Sequence, residues 1–168
     1  MAILQTSDFN TGEYTLPKDS FTVLQSYITK YEQYYLVRLL GADLYDLFVA
    51  DLTLTTPQIP QSPVYESIFN AFYYDEDGAL FVSDGIKEML KQFIYFHFLR
   101  DTAYRKTVNG VVVNATESSE HSGYNGYNLI EAYNSAIDNA YSIQSYIENN
   151  SNDYLTYNGI TFCFASGI

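Results

Sequence analysis

The most constraining feature of this sequence is the stretch Ser83–Lys106, SDGIKEMLKQFIYFHFLRDTAYRK. Ser83 is a helix-capping residue type, and Asp84 puts a negative charge in the first turn, where the helix dipole favours it. Ile86, Leu90, Phe93, Ile94 and His97 recur at helical spacing, with Tyr104 at the end of the stripe. Between Phe93 and Leu99 the sequence is apolar almost all round, and a helix of that kind must be covered on most sides. Arg100, Arg105 and Lys106 close it at the negative end of the dipole. The chain must therefore wrap around this helix, and a helical bundle is the fold that does so.

The flanking segments supply the rest of a bundle. A helix is predicted from Asp19 or Ser20 to about Leu40, with Phe21, Leu24, Ile28, Tyr31, Tyr35 and Leu39 on one face and Gly41 as its stop. A short helix follows over Ala42–Asp51, carrying Leu44, Leu47 and Phe48. Pro57 and Pro60 mark a loop over residues 52–62. Ser62-Pro63 opens another helix to about Phe72, and Tyr73–Val82 holds a turn, Asp75-Glu76-Asp77-Gly78, before the apolar dipeptide Phe81-Val82. Val108–Val113 sets an Asn-Gly turn beside a β-branched run and favours a hairpin or extended chain. Ala115–Tyr127 is a polar loop, and a last helix spans about Gly126–Asn149 on Ile130, Tyr133, Ile137, Ala140, Tyr141, Ile143 and Ile147.

The ends read differently. Residues 1–18 contain Thr11-Gly12 and Pro17 and look like an extended N-terminal arm. Residues 151–168 carry a second Asn-Gly turn at Asn158-Gly159, flanked by alternating apolar positions, and look like a hairpin or strand arm. An isolated two-stranded hairpin is marginal, so this arm is expected to pack on its own bundle or on a neighbouring subunit. The expected fold is mainly α: a bundle of four to five helices over residues 19–150, with a β-hairpin or extended loop and two extended arms.

Composition narrows the function classes. With 47% hydrophobic and 17% charged residues, a chain of 168 residues folds rather than remaining disordered. Its net charge of -12 argues against holding nucleic acid by neutralising phosphates. Such a surface suits a wall past which DNA slides, or a basic partner. Every Lys and Arg lies at or before Lys106; beyond it come only the acids Glu117, Glu120, Glu131, Asp138, Glu148 and Asp153. The 18 tyrosines and absent tryptophan point to interfaces, where a phenol ring buries area and tolerates water. The single Cys163 rules out an intramolecular disulfide. The start MAILQTSDFN lacks the features of a signal peptide, and no apolar run approaches the roughly 20 residues of a membrane span. The expectation is a protein made in the cytoplasm, with no membrane partner.

No catalytic or metal constellation is expected, and no cofactor. Asp75-Glu76-Asp77-Gly78 opens like a calcium loop, but Ala79 stands where a further oxygen ligand belongs. His97 reads as a core or interface histidine and His121 as a solvated one. An enzyme would require a polar cluster around His97.

The run Tyr31–Phe48, YEQYYLVRLLGADLYDLF, resembles a segment of the small head–tail connector proteins of tailed bacteriophages of the crAss-like, Bacteroides-infecting type. Asp84–Arg100, the connector Thr107–Ser119 and Tyr133-Asn134 resemble later segments of that family, in the same order, so the resemblance covers about residues 20–150. It implies a virion protein in a homo-oligomeric ring of about twelve copies at the head–tail junction. The ring would join the portal protein to another neck or tail protein, with DNA passing through its bore. It also implies that the connector loop, with Gly110, Asn114, Glu117 and Glu120, faces the channel or a neighbour. The C-terminal arm, with Tyr154, Tyr157, Ile160, Phe162 and Phe164, would dock on the portal or on adjacent copies, so deleting residues 154–168 is expected to abolish attachment and leave the helical fold. Two alternatives stay open: a second neck ring or tail-completion protein, and an acidic module that occupies a basic partner.

Overall fold

The computed structural model describes residues 2–76, 78–107, 110–113, 122–160 and 162, with side chains outside 103–128. Among these, five helices and two antiparallel hairpins follow one another as α1 (Phe21–Leu40), α2 (Ala42–Asp51), α3 (Pro63–Phe69), β1 (Phe72–Glu76), β2 (Ala79–Ser83), α4 (Gly85–Ala103), β3 (Tyr104–Thr107), β4 (Gly110–Val113) and α5 (Ser122–Asn149). The mainly helical bundle with a β-hairpin expected from the sequence is the fold observed.

At the centre lies α4, packed along α5 and α1. Ile86, Met89, Leu90, Phe93 and Ile94 on it are fully buried. The Phe93 ring stacks on Tyr35 of α1 at 3.7 Å between centroids and meets Tyr133 of α5 edge-on at 5.5 Å. Rings in these geometries add to the burial of their area. On α1 the predicted stripe is buried from Leu24 to Leu39, and Leu36 and Leu40 widen it.

Gly41 ends α1 with φ 77°, and its N–H donates to the Val37 carbonyl at 2.9 Å. A Cβ at this position would stand 2.5 Å from the Asn158 carbonyl oxygen. Glycine here both turns the chain into α2 and lets the C-terminal segment lie against the turn. The proline-containing loop after α2 is closed by the Asp51 carboxylate, which accepts the N–H groups of Gln61 (2.8 Å) and Ser62 (2.9 Å) just before α3.

Four sequence expectations are corrected. Residues 2–16 are not a free arm: Ile3, Leu4, Phe9, Tyr14 and Leu16 are buried against the bundle. Glu32 of α1, only 1% exposed, fastens them by accepting the Leu4 N–H at 2.6 Å, and Lys87 pairs with Asp8 at 2.9 Å. These apolar residues have no helical or strand period, so only tertiary contact reveals their burial. Second, the turn expected at Asp75–Gly78 is there, but it joins two strands that the sequence reading did not place, β1 and β2, in the register Phe72↔Ser83 to Glu76↔Ala79. Third, α3 accordingly stops at Phe69, and α4 stops at Ala103 because Tyr104–Thr107 pairs with Gly110–Val113. Finally, residues 154–160 form no strand: a turn at 155–156 and irregular chain run along their own bundle, one of the two placements expected.

Candidate interaction surfaces

An acidic cleft of about 580 Å³ opens where the N-terminal segment, α4 and α5 meet. Asp84, Glu88 and Gln92 line it from one side and Glu131, Ser135, Asp138 and Asn139 from the other, with Glu13 and Tyr14 at its edge. The spacing explains the arrangement: residues four apart stack on one helix face, so each helix offers one polar ridge. The floor is a bonded network. Asn139 Nδ2 donates to Gln92 Oε1 (2.9 Å), its Oδ1 accepts the Asp84 N–H (2.8 Å), and Gln92 Nε2 donates to the Tyr14 hydroxyl (3.4 Å). Lys91 pairs with Glu88 at 3.3 Å. Burial, then the neighbouring charges of Glu13 and Glu88, push the Tyr14 phenol above its ordinary value. The carboxylates that line the cleft, Glu13, Asp84, Glu88, Glu131 and Asp138, make it negative, which favours a cation and repels phosphate. Among the described residues no group of His, Cys, Asp and Glu is placed to hold a metal ion.

His97, the candidate for a polar cluster, sits between α4 and α1. Its ring stacks on Tyr31 at 3.9 Å, and its Nε2 is hydrogen-bonded to the Tyr35 hydroxyl at 2.6 Å. Burial pushes the imidazole down to about 4, and it is neutral at ordinary pH. Its surroundings are tyrosines as well as phenylalanine, and the arrangement ties α1 to α4.

The C-terminal residues expected to dock on partners mostly serve this chain's own core. The Tyr154 hydroxyl donates to the Val64 carbonyl at 2.6 Å, and its phenol is pushed up to about 12 by burial. Tyr157 is half-buried, its phenol likewise raised to about 12 by burial. The Ile160 N–H donates to the Arg38 carbonyl at 2.7 Å. Phe162 is buried beside Phe93, 5.8 Å between ring centroids, and its carbonyl accepts the Tyr141 hydroxyl. Gln144 binds the carbonyls of Leu39 and Ile160, each at 3.2 Å, closing this segment over the end of α1. Only Ile160 of the four remains open to solvent, as does Leu155. Phe164 lies outside the described residues, as do Asn114, Glu117 and Glu120 of the connector loop; Gly110 opens β4 opposite Thr107.

The surface that sequence reasoning missed is the outer face of the β1–β2 hairpin. Phe72 and Tyr74 turn inward onto Tyr146 of α5, at 5.0 and 5.6 Å between ring centroids, and Phe81 stacks on Tyr74. That leaves Tyr73, Leu80 and Val82 facing solvent at 78%, 67% and 60% exposure. Tyr73 and Val82 are direct cross-strand partners, and Asp75 opposes Leu80. The signal was present as alternation in FYYDE, hidden because tyrosine scores alike on either face. Among the described residues no helix is long and apolar enough to cross a membrane. Comparisons with protein-family models, curated proteins and solved structures find no match for this chain.

Proposed function

We propose that this chain is a structural subunit of a homo-oligomeric ring at the head–tail junction of a tailed phage, joining the portal to the neck or tail around the DNA passage. The observation that carries the reading is the apolar outer face of the β1–β2 hairpin, set on a chain of net charge -12. Three large apolar side chains side by side on one ribbon are an element made to be covered by another protein. The connector resemblance of residues 20–150 says which kind of assembly would cover it. The acidity supports the role, since a negative bore lets DNA slide without holding its phosphates. The test is cryo-electron microscopy of the virion neck. The expected result is a ring of copies coaxial with the portal, with DNA density in the bore; absence of the chain from the particle overturns the reading.

The acidic cleft favours a second reading, a module that occupies a basic partner. That reading predicts that a lysine-rich peptide binds isolated protein, and that Glu131→Gln with Asp138→Gln abolishes binding. A ring subunit without this activity would show no such binding at physiological salt.

A further inference from the structure

The fold carries two ribbons of opposite charge at the two ends of one helix. The hairpin β1–β2 leads directly into α4, and β3–β4 leads directly out of it. The 19 residues of α4, at the helical rise, hold them roughly 28 Å apart. The first ribbon carries Asp75 and Glu76 at its tip, within the sequence run Asp75-Glu76-Asp77. The second carries Arg105 and Lys106, the one adjacent pair of basic residues in the whole sequence. Among the described residues both ribbons are two-stranded sheets, with no third strand along their edges. Both are apolar besides: Tyr73, Leu80 and Val82 on the first, and Val111, Val112 and Val113 as successive positions of β4 on the second.

Charge decides what can cover the first ribbon. Its own counterpart on another copy is disfavoured wherever the two tips meet, because acid would face acid. Elsewhere in the chain the basic groups are largely occupied: Lys87, Lys91 and Arg100 are in ion pairs, and Lys30 and Arg38 lie over aromatic rings. We propose that the acidic β1–β2 ribbon of one copy docks on the basic β3–β4 ribbon of the next, so that the two hairpins are the head and tail of a repeating contact between copies. A contact between two different surfaces of the same chain is heterologous, and it closes into a ring when the rotation per copy allows. The inference rests on the ring reading and names the surfaces that would make it.

The test exchanges charge. Asp75→Lys with Glu76→Lys gives one variant, basic at both ends; Arg105→Glu with Lys106→Glu gives another, acidic at both ends. Each is checked for fold by circular dichroism, then examined at low ionic strength by sedimentation velocity and native mass spectrometry beside the wild type. The expected result is that wild type associates, neither variant does so alone, and an equimolar mixture restores association by alternating the two. Adding the first variant to wild type tests the idea even where the second fails to fold: the variant accepts a neighbour at one end only, and shortens the assemblies. A variant that associates alone as well as wild type overturns the hairpin contact and leaves the ring reading intact. So does a wild-type chain that remains monomeric at several hundred micromolar, and the ring reading is then decided by the particle.

Discussion

Substituting Glu32 by glutamine should change the pH dependence of stability. This carboxylate is buried under the N-terminal segment; its Oε1 accepts the Leu4 N–H, and its Oε2 has no hydrogen-bond partner among the described residues. Burial raises it from the ordinary 4.5 to about 7 against the opposing pull of that N–H. The native state thus holds a proton that the unfolded chain gives up. The stabilisation is fully present below pH 4.5 and is lost as pH rises through 7. The displacement sets a ceiling of roughly 3 kcal/mol. Glutamine keeps the acceptor for Leu4 and resembles the protonated acid, so Glu32→Gln should match wild type near pH 5 and exceed it at pH 8 by up to that amount. With a urea slope of about 2 kcal/mol per molar, the midpoint at pH 8 moves up by roughly 1.5 M. His97 works in the opposite sense. Burial lowers it from 6.5 to about 4, so its contribution is present above pH 6.5 and lost as pH falls through 4. Wild type should therefore be nearly flat between pH 5 and 7, while Glu32→Gln declines on acidification. Urea titrations followed by circular dichroism at several pH values read this directly. A stability difference between the two proteins that is the same at pH 5 and pH 8 refutes the reasoning.

Phe93→Ala empties the centre of the aromatic stack between α1, α4 and Phe162 and should cost about 3–5 kcal/mol in chemical denaturation, the range for a buried phenylalanine. Truncation after Asp153 removes Tyr154 and Phe162 from the core; at roughly 2 kcal/mol for each buried ring, it should lower the unfolding midpoint markedly rather than simply detach an arm, as thermal melts would show. Tyr73→Ser with Leu80→Ser should leave monomer stability within about 0.5 kcal/mol, since both side chains face solvent, while reducing association in sedimentation experiments.

The helices were legible because they follow a local rule. Leu24–Ile28–Tyr31–Tyr35–Leu39 and Ile86–Leu90–Phe93–Ile94–His97 recur at 3.6-residue spacing, and Gly41 supplies the left-handed turn that ends α1. Acidity was legible because charge is a property of composition. The β1–β2 hairpin was concealed because its tyrosines are compatible with either face, so alternation carried little contrast. The acidic cleft was invisible for another reason: Asp84 just before α4 and Glu88 on it, and Glu131 and Asp138 on α5, become neighbours only when α4 and α5 pack.

By itself, then, the sequence determined that a helical bundle forms around α4 and that its surface is acidic, since periodicity and net charge need no knowledge of distant contacts. The tertiary structure alone decided where the ends go. Ile3, Leu4 and Phe9, and later Tyr154 and Phe162, have no period of their own, and their burial is set by gaps left between α1, α3, α4 and α5. It likewise decided that Tyr73, Leu80 and Val82 face outward, because Tyr146 of α5 covers only the other side of their ribbon. A chain can encode its helices residue by residue; which surfaces remain for a partner depends on what the rest of the molecule has already covered.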